Sequence, residues 1–291
     1  MKTIDTNKRV LVIGASGMLG NAVLRLFSQS PGYVVFGSVR SSAVRHLLPD
    51  DLRPNLINGV DVENADSLMR LFDTARPNVV INCVGLVKQL AQAYDPLAAI
   101  PLNTILPHRL ARLCAVAGAR FVHMSTDCVF SGAQGMYMES DVADAKDLYG
   151  LSKFLGEVDY PHAITLRTSI IGHELDGARS LVDWFLAQEG SVRGFNRAIF
   201  SGLPTVEVAR VIRDYVIPHP ELHGLYHLSA APINKFDLLT LIAATYGKSI
   251  HINADEQVVI DRSLNSTRFR QATGFEPKSW PELVSLMHDF G

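Results

Sequence analysis

The stretch Arg9-Val10-Leu11-Val12-Ile13-Gly14-Ala15-Ser16-Gly17-Met18-Leu19-Gly20 decides the fold of this chain. Residues 10–13 are apolar at every position and too few for a helix, which predicts a strand covered on both faces. Residues 18–27 place Leu19, Val23, Leu26 and Phe27 at helical spacing, so the glycines fall on the turn between that strand and a helix. Gly14 permits a tight turn, Gly17 lets backbone approach a ligand, and Gly20 allows close packing of helix on strand. The free N–H groups of a helix start attract an anion. Gly14, Ser16, Gly17, Met18, Leu19 and Gly20 are therefore the expected cradle for a dinucleotide pyrophosphate.

The same alternation of short β-branched runs and amphipathic stretches continues outward. Strands are expected at 9–13, 34–39, 56–60, 79–83, 121–124 and 164–166, and a second helix at 65–75, after Asn64, with Leu68, Leu71 and Phe72 on one face. This rhythm predicts an α/β protein with a doubly wound parallel-sheet Rossmann fold. Residues 97–117 read as helix, but Pro101 and Pro107 predict a late start or a kink. Beyond 166, helices at 180–188, 207–217 and 236–246 are separated by longer irregular connections. The expected division is a dinucleotide-binding domain over 1–166, with a later return near 200–228, and a smaller α/β substrate lobe over 167–199 and 229–291. Ser279-Trp280-Pro281-Glu282 has the pattern of a capping box with proline in the first turn, and predicts a final helix.

Composition narrows the function. The 291 residues are 47% hydrophobic, enough for a large core, and carry a net charge of −2 without long like-charge runs. That pattern argues against nucleic acid or an anionic membrane surface as partner. No apolar run approaches the roughly 20 residues of a membrane span, and MKTIDTNKRV has no secretory character, so a cytoplasmic protein is expected. Cys83, Cys114 and Cys128 form no C-x-x-C pair and read as buried thiols. His219, His223 and His227 are spaced four apart, but Pro218, Pro220 and Gly224 break any common helix, and no metal site is assigned.

Cofactor choice is read at the end of the second strand, Phe36-Gly37-Ser38-Val39-Arg40. A carboxylate there would accept from ribose hydroxyls, whereas Arg40 offers a forked cation suited to a 2′-phosphate. NADPH is therefore favoured, with NADH possible. Asp61-Val62 after the third strand is placed to accept from the adenine amine, and Cys83-Val84-Gly85 after the fourth to line the cofactor.

Tyr149 and Lys153 lie four apart, on one face of a helix from about 148 to 158. Carbonyl reduction needs an acid to protonate the developing alkoxide, and a phenol with a free pKa of about 10 is a reluctant donor. An ammonium nearby stabilises the phenolate left behind while holding ribose hydroxyls. Thr126, in Ser125-Thr126-Asp127, lies at the carboxyl edge of the sheet, where ligands of such folds bind, and is placed to fix the substrate carbonyl. Arg167 and Thr168 are expected to begin the substrate wall, with Lys88 beside it. Arg193, Arg197 and Arg262 are candidates for a diphosphate, whose geometry bidentate guanidinium contacts suit.

The motifs GASGMLG, INCVG, HMSTDCVFSG, YGLSK, LRTSIIG, FSGLPT and TGFEPKSW cover nearly the whole chain. Through them the sequence resembles the extended short-chain dehydrogenase/reductase superfamily and, within it, the dTDP-4-dehydrorhamnose reductase family. The resemblance implies reduction of a nucleotide-linked 4-keto-6-deoxy sugar by NADPH or NADH, for surface polysaccharide precursors. It also implies a Thr126–Tyr149–Lys153 triad, with Asp127 beside the threonine, and a possible homodimer. The family commonly has tyrosine at the next position, here Cys128, and an aromatic pair where this chain has Ile170-Ile171. Two other functions fit the same motifs: an NAD-using sugar nucleotide epimerase or dehydratase, and a non-catalytic cofactor-binding regulatory subunit like that of methionine adenosyltransferase.

Overall fold

A computed structural model describes residues 7–88 and 91–291. The first six strands are β1 (Lys8–Ile13), β2 (Tyr33–Ser38), β3 (Leu56–Ile57), β4 (Val79–Asn82), β5 (Arg120–Thr126) and β6 (Ala163–Thr168). Short strands follow: β7 (Ile170–Ile171), β8 (Ser191–Phe195), β9 (Ala198–Phe200), β10 (Leu203–Pro204), β11 (Gly224–His227), β12 (Ile233–Asn234), β13 (His251–Asp255) and β14 (Ile260–Asp261). β11 joins the first six in a seven-stranded sheet of order β11-β6-β5-β4-β1-β2-β3, parallel throughout. The order reverses between β1 and β4, the position at which doubly wound sheets open a ligand crevice. Ile13 is level with Asn82, and Asn82 with His123, so β1 and β4 end together at that crevice while β5 runs on three residues further to Thr126.

The helices are α1 (Met18–Ser28), α2 (Ala65–Ala75), α3 (Pro96–Ala99), α4 (Leu106–Ala117), α5 (Leu148–Leu155), α6 (Leu181–Leu186), α7 (Thr205–Val211), α8 (Lys235–Thr245), α9 (Thr267–Thr273) and α10 (Trp280–Phe290). As expected, α1 buries Leu19, Val23, Leu26 and Phe27 against the sheet, and Asn64 caps α2 by accepting from the Ser67 N–H at 2.9 Å. The proline-bearing segment resolves into α3, a π-helical turn over Ile100–Ile105, and α4. Pro101 has no N–H to bond back, and the Leu106 N–H reaches five residues to the Pro101 carbonyl.

Two apolar clusters flank the sheet. One runs from α1 and β2 through Leu228, Leu238, Ile242, Phe269 and Leu283, joining the C-terminal helices to the sheet. The other lies under α2 and α4, around Leu68, Leu71, Leu110 and Phe121. The Ser279 capping box forms as expected, and the Trp280 Nε1–H donates to the Ala231 carbonyl at 2.7 Å. Among the described residues, no helix is long and apolar enough to cross a membrane.

Candidate active site

The glycine loop is held by backbone contacts that only glycine allows. Gly14 has φ +83°, and a Cβ there would lie 2.8 Å from Val84 Cγ2. A Cβ on Gly20 would lie 2.1 Å from the Gly14 carbonyl oxygen, so this glycine admits the helix to the loop, one step before the strand itself. The Gly14 and Ala15 N–H groups donate to Ser38 Oγ and O at 3.2 and 3.0 Å. Gly17 caps α1 with no side-chain bond, is exposed, and the first turn holds no acidic residue. The N–H groups of that turn thus point outward with the positive end of the helix dipole, which fits a pyrophosphate. Leu19 lends only backbone to this cradle, because its side chain is in the core.

Around the loop, Cys83-Val84-Gly85 stands across from Gly14, and Arg40 is exposed just beyond β2. Asp61 is exposed, with Oδ1 accepting from the Glu63 N–H at 2.9 Å, while Val62 packs against the core under α2.

The helix bearing Tyr149 and Lys153 is set by its first residues. Asp147 caps α5 by accepting from the Gly150 N–H at 2.9 Å, and its other oxygen pairs with Lys88 Nζ at 2.8 Å. A Cβ on Gly150 would lie 2.4 Å from the Cys128 carbonyl, so α5 is pressed against the segment that follows Thr126. Tyr149 faces Thr126, whose hydroxyl works to lower the phenol pKa, yet burial and the neighbouring Cys128 and Asp127 raise it above its ordinary value. Lys153 is buried, and its Nζ donates to the Met124 carbonyl at 2.6 Å. Burial lowers its pKa to about 8, against the attraction of Glu157. The Cβ position of Gly85 lies 3.7 Å from this nitrogen, so the ammonium borders the end of β4. Asn103, on the π-helical turn, spends its carboxamide on the Leu86 N–H and Ser152 Oγ.

The substrate-side candidates separate. Asp127 is buried beside Arg262 and Lys235, and burial raises its carboxyl. The Cys128 thiol is pushed up to about 12 by burial and by Asp127. Arg262 donates from Nη1 to Cys128 Sγ at 3.7 Å and from Nε to the Phe130 carbonyl at 2.8 Å. Arg197 is exposed between β8 and β9, and Arg193 pairs instead with Asp255 at 3.3 Å. Arg167 is a correction: it is 2% exposed, grips Glu157 with two 2.7 Å bonds and leaves no face for a substrate. Thr168 is likewise buried, its hydroxyl donating to the Ser169 carbonyl.

Sequence reasoning missed Lys235, His123 and Glu157. Lys235 arrives from the start of α8 to lie 4.2 Å from the Phe200 ring centroid, its pKa lowered to about 8 by burial against Asp127 and Cys128. Nothing local marks it, whereas Glu157, four past Lys153, was within reach of a spacing argument. His123 bonds Asn82 through Nδ1 at 3.2 Å, and its buried Nε2 has no partner among the described residues. The three histidines discounted as a metal face part company, with His219 at the Tyr215 carbonyl, His223 near Asp159 and His227 buried at Tyr137.

The family profile described as RmlD substrate binding domain matches residues 8–289. The chain belongs to that family. It is 24% identical to a dTDP-4-dehydrorhamnose reductase of Aggregatibacter actinomycetemcomitans, over 94% of this chain and 95% of that one. It is 28% identical to the methionine adenosyltransferase 2 subunit beta of Danio rerio, over 82% of this chain and 74% of that one. Matches to the same subunit in mammals span 42% of those proteins. The fold of the family is shared with the dTDP-4-dehydrorhamnose reductase of Bacillus anthracis, solved in complex with NADP. That structure has a TM-score of 0.79 at 19% identity and covers 98% of this chain and 100% of its own.

Proposed function

We propose that this protein reduces the ketone of a nucleotide-linked 4-keto-6-deoxy sugar with NADPH, supplying a precursor for a surface polysaccharide. The observation that carries this reading is the convergence of Thr126, Tyr149 and Lys153 at the carboxyl ends of β4 and β5, beside the glycine loop. Full-length similarity to a dTDP-4-dehydrorhamnose reductase supports it. Gly14, Ser16, Gly17, Met18, Leu19 and Gly20 would hold the pyrophosphate, Asp61 and Val62 the adenine side, and Cys83, Val84 and Gly85 the inner face of the cofactor. Bound there, a reduced nicotinamide would supply the hydride.

The chain's own groups handle the proton and the orientation. Tyr149 donates its phenolic proton to the developing alkoxide, and the Thr126 hydroxyl fixes the substrate oxygen. Lys153, charged below pH 8, stabilises the phenolate and turns from the Met124 carbonyl toward ribose hydroxyls. Lys88, Asp127, Cys128 and Arg262 line the sugar side, with exposed Arg197 available to a diphosphate. Cys128 in place of a phenol leaves a smaller, less polar contact, which is where sugar specificity would diverge.

The direct test is loss of absorbance at 340 nm from NADPH with a panel of nucleotide-linked 4-keto-6-deoxy sugars made in situ by a 4,6-dehydratase. Oxidation that depends on one sugar supports the reductase. NADPH binding without oxidation of any panel member would favour a regulatory subunit, the second reading, which the similarity to methionine adenosyltransferase 2 subunit beta recommends.

Two expectations attach to this reading. Arg40→Ala weakens NADPH by about tenfold or more while barely affecting NADH, because a charge-assisted bond to the 2′-phosphate is lost. Equal weakening of both cofactors by titration would remove Arg40 from phosphate recognition. Secondly, kcat/KM falls as pH rises through about 8, where Lys153 gives up its proton. The lowered pKa confines the ammonium to the acidic side of that value, so the loss lies on the alkaline limb. A profile flat to pH 9.5 would argue against an essential ammonium.

A further inference from the structure

Tyr149, Lys153 and Glu157 are spaced four apart, and the structure gives each a grip on the end of β5. The Tyr149 phenol faces Thr126 closely enough for the hydroxyl to act on its pKa, and Lys153 Nζ donates to the Met124 carbonyl at 2.6 Å. Glu157 Oε1 accepts from Ser125 Oγ at 2.7 Å. Three consecutive residues of one strand thus face one helical side and its extension, two of them through short hydrogen bonds. The proposed acid and the proposed carbonyl-orienting hydroxyl are the outer members of this arrangement.

Glu157 is itself held from behind. Arg167 donates from Nε to Oε1 and from Nη2 to Oε2, both at 2.7 Å, and the side chains are 3% and 11% exposed. The third nitrogen of the guanidinium, Nη1, is 3.3 Å from His227 Nε2. His227 Nδ1 faces the Tyr137 carbonyl at 3.0 Å, so the ring proton sits on Nδ1 and Nε2 remains an acceptor for Arg167. The guanidinium carbon lies 5.1 Å from the Phe130 ring centroid, and Phe130 stacks on Tyr137 at 4.1 Å. The Glu157–Arg167 pair therefore ties together β5, β6, β11 and the segment that leads on from Asp127 and Cys128.

We propose that Glu157, backed by Arg167, is the positioning residue of this site, closing a three-point clasp that keeps Thr126, Tyr149 and Lys153 in register. The proposal rests on the catalytic reading given above. Its second consequence is electrostatic. The titratable groups facing Lys153 are Glu157, the Cys83 thiol at the end of β4 and His123 on β5. Burial raises the thiol to about 12 and keeps the imidazole neutral, which leaves Glu157 as the anion that supports the ammonium.

The test follows Lys153 in the full chain without cofactor, by NMR titration of protein labelled at lysine 13Cε, with Lys153→Arg assigning the signal. Glu157→Gln is expected to move the Lys153 midpoint down by about one pH unit, with Glu157→Asp recovering part of that shift. A midpoint equal to that of the parent overturns the electrostatic half of the proposal, whatever the enzyme turns over. Ser125→Ala leaves the Glu157–Arg167 pair intact and carries the test should Glu157→Gln not fold. Its expected result is kcat about tenfold lower with KM within about twofold and native thermal stability, the pattern of lost transition-state alignment. Unchanged kcat overturns the clasp. Failure of the reductase reading is separable, since it shows as absent NADPH oxidation in the parent chain.

Discussion

Tyr149→Phe is expected to lower kcat by about 10³-fold while leaving NADPH affinity within about twofold. The size of the effect follows from the lack of a substitute acid. The Thr126 hydroxyl, which donates to Asp127 Oδ1 at 3.2 Å and accepts from the Cys128 N–H at 3.2 Å, can orient an oxygen but, as an aliphatic alcohol, is a far weaker acid than a phenol. The Cys128 thiol, at about 12, is no better a donor than a free phenol and is held by Arg262. Lys153 is drawn toward the Met124 carbonyl. The phenol itself is raised by burial, so its proton leaves only when substrate and ammonium are in place to stabilise what remains. Removing the hydroxyl subtracts one oxygen from a wall that Gly150 and Cys128 keep packed, which is why binding should survive. Single-turnover rates together with cofactor titration check both halves, and a kcat within tenfold of the parent would exclude Tyr149 as the acid.

Gly20→Ala should be a severely damaging conservative change, costing about 3 kcal/mol of stability and the greater part of cofactor affinity. The added Cβ would sit 2.1 Å from the Gly14 carbonyl oxygen, 2.8 Å from its carbon and 3.0 Å from Ala15 Cα. All three are backbone atoms, so no rotamer relieves the clash and α1 must part from the loop. Gly17→Ala is the matched control. Its Cβ would meet only the Gly14 oxygen at 3.5 Å, and its φ of −76° suits alanine. This variant should melt within a few degrees of the parent yet bind NADPH at least about tenfold more weakly, because the methyl stands where a pyrophosphate would approach. Equal loss of stability in the two variants would mean that the loop is built for packing alone. Thermal melts and cofactor titration distinguish the outcomes.

The sequence by itself determined the sheet, the glycine loop and the helix bearing Tyr149 and Lys153. Those features are written in local chemistry: strand-length apolar runs, glycines at a spacing that a strand-to-helix turn requires, and side chains four apart. Asn64, Asp147 and the Ser279–Glu282 pair cap their helices through contacts within a few residues, which is why such signals are readable in order along the chain.

Only the tertiary structure decided which charges face a substrate. Arg167 looked like a ligand because an arginine after a strand is chemically suited to phosphate, but Glu157 and His227 reach it from two other elements. Lys235 enters from α8, more than a hundred residues beyond Asp127, and no pattern near it announces that arrival. The proline-bearing helix kept its length by taking a π-helical turn at Pro101, and that turn carries Asn103 to Leu86 and Ser152 across the fold. A short-range motif fixes backbone shape, whereas the pairing of a buried charge depends on whatever long-range packing brings within about 3 Å, and that is settled only when the core closes.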